Sequence, residues 1–152
     1  MAADIRWQWQ RFNDLGLQDL YDALQLRAKV FILEQGPYLD PDGLDQVSWH
    51  LLGRDADGTL QVYLRVVDPG HKYADPSIGR VITSAEVRGT GAGRRLMEVG
   101  VARCTAAWPG RDIRISAQAH LERFYGSLGF ERVGEDYLED DIPHVEMLRS
   151  AR

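Results

Sequence analysis

The chain contains 152 residues, carries a net charge of −5 and has a single cysteine, Cys104. This length is close to that of one ordinary domain, so we expect a single domain over residues 1–152. One cysteine excludes an internal disulfide and a multi-cysteine metal site, and no metal is expected. Hydrophobic residues make up 44% and charged residues 27% of the chain, as is usual for a soluble globular protein.

The hydropathy and charge patterns bear on location and partners. No run approaches the roughly 18 apolar residues of a membrane span, and the first residues lack the basic and apolar regions of a secretory signal. We therefore expect a cytoplasmic protein with no membrane partner. The chain has no basic stripe with interleaved aromatic residues, which argues against nucleic acid as a partner.

A helix and a hairpin are predicted in the first half of the chain. Asp14 is a suitable N-cap for a helix that runs to about Glu34 and ends at Gly36-Pro37. Its apolar positions share one face at helical spacing: Leu17, Leu20, Tyr21, Leu24, Ala28 and Phe31. After a polar loop, residues 49–54 and 60–67 are predicted strands joined at Asp57-Gly58, a common hairpin turn. One face of the second strand carries Leu60, Val62, Leu64 and Val66.

The second half alternates strands with helices. Residues 78–83 form an apolar, β-branched run that predicts a buried strand, and a glycine-rich turn follows. The next helix carries Cys104 on its apolar face, where a buried, inert thiol is expected, and it ends at Trp108-Pro109-Gly110. A strand at 112–117, a helix at 119–128 and two closing strands complete the prediction.

The turn between strand and helix is the sequence Arg88-Gly89-Thr90-Gly91-Ala92-Gly93. Amides in the first turn of a helix have no intrahelical partner, and the helix dipole adds partial positive charge there. Glycine lets the backbone approach a ligand closely. Arg88, Arg94 and Arg95 add positive charge, and residues 88–95 include no acid. This combination predicts a site for a diphosphate.

Two common nucleotide motifs fit the turn poorly. A Walker loop requires Lys and then Ser or Thr after its last glycine, where this chain has Arg94-Arg95. A dinucleotide fingerprint requires G-x-G-x-x-G and an acid at the end of the following strand, whereas Asp112 precedes that strand. A glycine-rich turn without a ligand remains the simple alternative.

Two motifs carry a family resemblance. Arg-x-x-Gly-x-Gly at 88–93 resembles the pyrophosphate loop of the GNAT acyltransferase superfamily, whose ligand is an acyl-coenzyme A. Phe-Tyr-x-x-x-Gly-Phe at 124–130 resembles a second signature of that superfamily. Segments 25–35, 37–45 and 140–144 are similar to its ElaA-like branch. The resemblance covers the chain from about Phe12 to Met147.

The resemblance implies a fold and a coenzyme site. The expected fold is α/β (α+β), with one mixed, mostly antiparallel twisted sheet, helices on both faces and central strands that splay where acyl-CoA binds. The backbone of the strand before the turn would serve the pantetheine arm and the oxyanion, and Gln118 replaces a usual asparagine on that arm. The implied coenzyme-binding residues are Val81, Ile82, Thr83, Arg88, Gly89, Thr90, Gly91, Ala92, Gly93, Arg94, Gln118 and Tyr125.

The resemblance also implies chemistry. The expected activity is N-acetyltransfer from acetyl-CoA to a small amine or an exposed amino group, by direct attack in a ternary complex, with the protein a monomer or homodimer. Tyr125 corresponds to the general acid for the leaving thiolate. The base stays open among Glu34, His50, His120, His144 and a water relay, with Glu34 and His120 foremost. A non-catalytic acyl-CoA-binding module is the alternative function.

Two further hypotheses concern clustered polar residues. Six acids lie between Glu34 and Asp57 and six between Glu131 and Asp141. They are either solvated loops or the rim of a cleft that attracts a cationic acceptor. A metal site of three histidines and one acid is conceivable, although no ligand spacing supports it: His50, His120, His144 and Asp140.

Overall fold

The protein forms one eight-stranded mixed sheet with helices on both faces, in a computed structural model that describes residues 4–36 and 38–151. Strand order is β1-β2-β3-β4-β5-β8-β6, and β7 pairs with β8. The strands are β1 Arg6–Arg11, β2 Ser48–Arg54, β3 Leu60–Val67, β4 Ser77–Thr83, β5 Ile113–Gln118, β6 Phe130–Arg132, β7 Tyr137–Glu139 and β8 Ile142–Arg149. The helices are α1 Leu17–Arg27, a π-helix Ala28–Glu34 that continues it, α2 Ala92–Ala107 and α3 Glu122–Gly126. The predicted fold class is confirmed.

Two apolar cores lie on opposite faces of the sheet. One packs α2 and α3 against residues such as Leu64, Ile115 and Ala117. The other packs α1 against Tyr63 and Ile82, among others. The strand β3 is therefore buried on both faces, so the prediction of a single apolar face for it was incomplete. We call these the α2 face and the α1 face. In the described part of the chain, no helix is long and apolar enough to cross a membrane.

The first helix differs from its prediction at its start and in its buried face. It begins at Leu17 with Gly16 as N-cap rather than Asp14, and the Gly16 N–H donates to the Asp19 carboxylate at 3.2 Å. Its predicted end near Glu34 is confirmed, although the last seven residues are π-helical. Leu17 and Tyr21, placed on the predicted apolar face, are 88% and 64% exposed. The residues that α1 and the π-helix bury are Ala23, Leu26, Arg27 and Val30.

Three other elements correct or extend the prediction. The edge strand β1 was not predicted, although Trp7 and Trp9 alternate with polar residues there. The predicted helix at 119–128 is a short 3₁₀ turn, Ala119–Leu121, followed by α3. Three closing strands form instead of two, because β7 and β8 make a hairpin. The predicted hairpin between β2 and β3 is confirmed, with Gly58 in the left-handed region at φ 83°.

Buried charges attach the loop before β2 to the sheet. Arg27 is fully buried and contacts Asp40 and Asp45, both at 2.9 Å. Arg65, from β3, contacts Asp42 at 2.5 Å and Asp45 at 3.0 Å. Arg80 contacts Asp40 at 2.9 Å, which completes what we call the arginine–aspartate cluster: Arg27, Asp40, Asp42, Asp45, Arg65 and Arg80. Three of the six acids of the 34–57 segment are thus paired with arginines, which reduces the negative charge that this segment could offer to a cationic acceptor.

Loss of one buried partner should strongly destabilise the fold. Arg27→Met keeps a long apolar stem but leaves Asp40 and Asp45 without one of their cations. We expect the free energy of unfolding to fall by about 3–5 kcal/mol, the cost of breaking a buried ion pair. Arg132→Met is the matched control, because its ion pairs with Glu122 and Asp136 are at the surface and their loss should change little. Urea unfolding measures both; equal stability of the two variants would contradict the cluster's role.

The cluster also predicts the acid stability of the protein. Burial alone would raise the pKa of Asp45, but hydrogen bonds and charges from Arg27 and Arg65 outweigh it and hold that pKa below its ordinary value. A carboxyl with a lowered folded pKa stabilises the protein fully above its unfolded pKa, about 3.9. That stabilisation is lost as the pH falls through the folded value. We expect a smaller acid-induced loss for Arg27→Met than for the wild type, measured by urea unfolding between about pH 6 and 3.

Candidate active site

A cleft opens between the two parallel strands β4 and β5. The strands pair only at Ser77 and Arg114 and then diverge. On its other side β4 bulges away from regular pairing with β3: Arg80 has φ 50°, and the register shifts between Tyr63 and Arg65. The resulting cleft has a volume of about 610 Å³. Beyond Ser77 the inner edge of β4 therefore faces the cleft instead of a strand partner.

The glycine turn follows β4 and begins α2. Gly89 and Gly91 have φ values of 80° and 86°, a region that favours glycine, and Gly91 is the N-cap of α2. The first helical hydrogen bond runs from Arg95 N–H to the Gly91 carbonyl at 3.1 Å. The amides of residues 92–94 therefore form the open end of a sixteen-residue helix, a ready site for an anion.

The three arginines of the turn point to different places. Arg88 donates to the Thr83 carbonyl at 3.2 Å and lines the cleft. Arg94 donates to the Ser127 hydroxyl at 2.6 Å, beside α3. Arg95 lies over the ring of Trp7, 6.0 Å from its centroid. Arg88 and Arg94 thus flank the helix start from two sides, while Arg95 packs against the edge strand.

Tyr125 lies in α3 and lines the cleft from the α2 face. It is 7% exposed and packs edge-on against Phe124 and Phe130. Burial raises the pKa of its hydroxyl to about 12, and no charged neighbour contributes. The hydroxyl is therefore protonated at neutral pH and available as a hydrogen-bond donor at the cleft wall.

The family follows from a comparison with known proteins. A model described as "Acetyltransferase (GNAT) domain" matches residues 50–150, about two thirds of the chain. The chain belongs to the GNAT acetyltransferase family. It is 46% identical to a UPF0039 protein of Synechocystis over 95% of each chain, and 42% identical to Protein ElaA of Escherichia coli over 95% of this chain and 96% of that one.

Solved structures agree with this assignment. An acyl-CoA N-acyltransferase from Pseudomonas aeruginosa is 44% identical with a TM-score of 0.92, covering 97% of this chain and 100% of that one. The Escherichia coli ElaA structure is 41% identical with a TM-score of 0.90 and the same coverage. The protein is therefore a GNAT acyltransferase whose donor is an acyl-CoA. The resemblance to the ElaA-like branch is confirmed.

Several residues suggested from the GNAT resemblance come together in the cleft. Val81, Ile82 and Thr83 line it from β4, and Gln118 and His120 line it from β5 and the turn after it. The other implied residues of the glycine turn, 89–94, do not line this cleft; they follow Arg88 in the chain, which does. The Gln118 amide donates to the Gln35 side chain at 3.1 Å, so β5 and the end of the π-helix are linked across the cleft.

The candidate bases differ in their surroundings. Glu34 lines the cleft but forms an ion pair with Arg88 at 2.9 Å, and His120 is exposed. His50 lies in the core, where its Nδ1 is 2.6 Å from the Tyr63 hydroxyl, and it does not line the cleft. His144 lines the cleft, is 7% exposed and stands opposite Gln118 in the β5–β8 pairing.

The conceivable histidine metal site does not assemble. His50 is buried in β2, whereas His120 and His144 belong to the cleft wall. Within residues 4–36 and 38–151, no group of three or more His, Cys, Asp or Glu side chains could hold a metal ion. The reason is topological, because β2 and β5 are separated by two strands of the sheet.

One residue of the cleft wall was not recognised in the sequence, and one predicted acidic segment does reach the cleft. Lys72, from the loop before β4, lines the cleft, as do Glu139, Asp140 and Asp141 at the β7–β8 turn. Asp140 and Asp141 have φ values of 52° and 63° in a two-residue connection, the geometry of a type I′ hairpin turn. We call residues 139–141 the acidic hairpin. Its signal was present as Glu-Asp-Asp between two short strands, since aspartate tolerates this backbone conformation.

Proposed function

We propose that the protein is an acetyl-CoA-dependent N-acetyltransferase in which an amine attacks the thioester directly in a ternary complex. The observation that carries the proposal is the two-sided cleft. Tyr125 and the glycine turn belong to the α2 face, where α2 and α3 pack. The acidic hairpin and residues of the π-helix line the same cleft, the latter from the α1 face. Donor and acceptor can therefore enter from opposite faces and meet between β4 and β5.

The residues at the turn fit the diphosphate of coenzyme A. Gly89 and Gly91 keep side chains away from the helix start, and the open amides of residues 92–94 supply N–H donors. Arg88 and Arg94 add charge on two sides. Along the cleft, the free edge of β4 and the Gln118 amide would hold the pantetheine arm and place the thioester near Tyr125. The backbone N–H groups of that edge are the available oxyanion donors.

Tyr125 would stabilise the sulfur as the thiolate leaves. Its pKa of about 12 lies above that of an ordinary thiol, about 8.5, so complete proton transfer to the sulfur is unfavourable. A hydrogen bond from the hydroxyl to the developing thiolate has no such cost. The thiolate can take its proton from the amine nitrogen after attack, because that nitrogen is positively charged in the tetrahedral intermediate and must lose a proton to become the amide. Tyr125 therefore acts as a hydrogen-bond donor that keeps its own proton. Its hydrogen bond strengthens, and stabilises the transition state more, as negative charge develops on the sulfur.

His144 is the base that the geometry favours over Glu34 and His120. Its Nδ1 lies 2.7 Å from the Ile142 carbonyl, an acceptor, so this nitrogen carries the proton. The lone pair of neutral His144 is therefore on Nε2, which lies 3.7 Å from Glu139. Nε2 can accept a proton from an amine at the acidic hairpin, and Glu139 would stabilise the resulting imidazolium. Glu34, by contrast, is ion-paired with Arg88, which makes its carboxylate a poorer proton acceptor.

Direct attack is supported by the position of the sole cysteine. Cys104 lies in α2, is 1% exposed and does not line the cleft. Burial raises the pKa of its thiol to about 12, so it is neither accessible nor ionised. Cys104 therefore cannot form a covalent acyl-enzyme, and the amine is the nucleophile that we propose.

A variant series tests the base. His144→Gln should lower kcat/KM by about 10²- to 10⁴-fold near pH 7.5, the usual loss for a general base. The defect should shrink as the pH approaches the acceptor's own pKa, about 10.4 for an alkylamine, because free amine then needs no base. Glu34→Gln and His120→Gln are the matched variants. If kcat/KM falls further in either of these variants than in His144→Gln, and recovers at high pH, that residue is the general base and His144 is not.

Thiol release with a panel of small amines tests the function itself. The assay should show release of coenzyme A that depends on both the protein and an amine, with the acetylated amine identified by mass spectrometry. Acetyl-CoA binding without amine-dependent release across the panel would identify a non-catalytic binding module instead. Acetyl-CoA should be compared with longer acyl-CoA donors, since the acyl chain has to fit beside Tyr125.

A further inference from the structure

The cleft contains one cation that lacks an anionic partner. Its three arginines are all engaged: Arg65 and Arg80 with the arginine–aspartate cluster, and Arg88 with Glu34. Lys72 forms no ion pair within 4 Å with any residue in the described ranges. Its ammonium group lies 5.7 Å from the centroid of the Tyr73 ring. A lysine so placed gives the cleft wall a cationic group that no described anion contacts.

The charged groups that act on Lys72 are Glu139 of the acidic hairpin and Arg65, Arg80 and Asp42 of the arginine–aspartate cluster. Lys72 precedes β4, whose first residue, Ser77, marks the closed end of the divergence from β5. Lys72 as a residue is exposed, yet its ammonium group is partly enclosed by protein, and this desolvation lowers its pKa despite the attraction of Glu139. Arg65 and Arg80 lower it further. Anion binding at this position would relieve that unfavourable concentration of positive charge.

A second group in the same wall also lacks a partner. Arg65 is 1% exposed and lines the cleft, and its Nε has no hydrogen-bond acceptor among the described residues. Arg65 uses its other two nitrogens for Asp42 and Asp45. The cleft wall beside Lys72 therefore has more hydrogen-bond donors than acceptors.

The acidic hairpin supplies the opposite charge at the same end. Asp140 and Asp141 form no ion pair within 4 Å in the described part of the chain. Glu139 accepts a hydrogen bond from the Ser116 hydroxyl at 3.3 Å, and its ion-pair contact there is with His144 at 3.7 Å. Unpaired acids and an unpaired lysine thus line one cleft. A ligand that matches both must carry a cationic and an anionic group in one small molecule.

We infer that the acceptor is an amine that also carries a carboxylate, such as a free amino acid, and that Lys72 binds the carboxylate. The inference rests on the proposed function and names its acceptor class. The amine would enter at the acidic hairpin, lose a proton to His144 and attack the thioester, while the carboxylate stays on Lys72. A carboxylate fits better than a phosphate beside Lys72, because phosphates favour arginine forks and the two arginines that act on Lys72, Arg65 and Arg80, are held by the arginine–aspartate cluster.

Matched acceptor pairs test the inference. Each amino acid is compared with the amine that lacks its carboxylate, for example phenylalanine with phenethylamine. For the wild type, kcat/KM should be about tenfold or more higher for the amino acid. Lys72→Gln should raise KM for the amino acid by about tenfold, change kcat little and leave the decarboxylated amine unaffected. Lys29→Gln is the control, since Lys29 is exposed, lies outside the cleft wall and is the chain's other lysine.

The outcomes separate the inference from the proposed function. If amines with and without a carboxylate react equally well, or if Lys72→Gln weakens both to the same extent, the acceptor class is wrong while the acetyltransferase stands. If no member of either series is acetylated although acetyl-CoA binds, the proposed function fails and the inference fails with it. A carboxylate preference that only Lys72→Gln abolishes supports both.

Discussion

Gly93→Asp should weaken coenzyme A binding by at least about 100-fold while the protein stays folded. The new carboxylate would lie in the first turn of α2, where the diphosphate is expected. Two charges about 5 Å apart repel by about 3 kcal/mol at an effective dielectric constant of 20. That energy corresponds to on the order of a hundredfold in the dissociation constant. Isothermal titration calorimetry with coenzyme A measures the effect.

Gly93 is a cleaner position for this test than Gly91. Gly91 has φ 86°, so any side chain there strains the backbone, whereas Gly93 has no positive φ. A Cβ at Gly93 would meet only Thr83 Cγ2 at 3.5 Å, an ordinary contact. An acid near a helix N-terminus is also favourable for folding. Gly93→Ala separates the added charge from the added bulk, and Gly134→Asp adds the same charge at an exposed loop. Unchanged coenzyme A affinity in Gly93→Asp would show that the diphosphate does not bind at the start of α2.

Tyr125→Phe should lower kcat by about 10²- to 10⁴-fold with coenzyme A affinity preserved. The substitution removes one oxygen and keeps the ring that packs against Phe124 and Phe130. Only the hydrogen bond to the leaving sulfur is lost, an interaction that strengthens as charge develops in the transition state. Because burial raises the pKa of Tyr125 to about 12, the loss should be constant between about pH 7 and 9.

Tyr21→Phe provides the control for that measurement, since Tyr21 is exposed on α1. Its turnover should match the wild type. The role of Tyr125 would be disproved by a Tyr125→Phe variant with wild-type kcat on an established acceptor. A loss confined to KM would instead mean that Tyr125 binds substrate equally in the ground and transition states.

The parts of the fold that were predictable depend on local signals. The glycine turn, the hairpin at Gly58 and the strand β4 each follow from a few adjacent residues with definite backbone preferences. The glycine-turn motif at 88–93 and the Phe-Tyr-x-x-x-Gly-Phe motif at 124–130 then indicated the family, and the family implied the architecture of the sheet. Tyr125 and Gln118 were found in this way, because their places in a motif fix their places in the cleft.

What was not predictable depends on contacts between distant residues. Arg27 was not expected to be buried, because its partners Asp40 and Asp45 lie 13 and 18 residues further along the chain. Arg27 lies on the buried face of the first helix together with Ala23, Leu26 and Val30, and Leu17 and Tyr21 face solvent instead of the core. The 34–57 acids looked like an attractor for the same reason: local counting omits Arg65 and Arg80. Lys72 was overlooked because no motif marks a lone loop lysine.

Transfer of a labelled acetyl group in a single turnover distinguishes direct attack by the amine from transfer through the protein. Protein in excess over acetyl-labelled CoA is mixed with amine, quenched at intervals and separated into protein, donor and acceptor. Direct attack in a ternary complex predicts that label moves from donor to amine in step with thiol release and never accumulates on protein. Label that appears on the protein before the amine, or that stays on coenzyme A while bound, would contradict it.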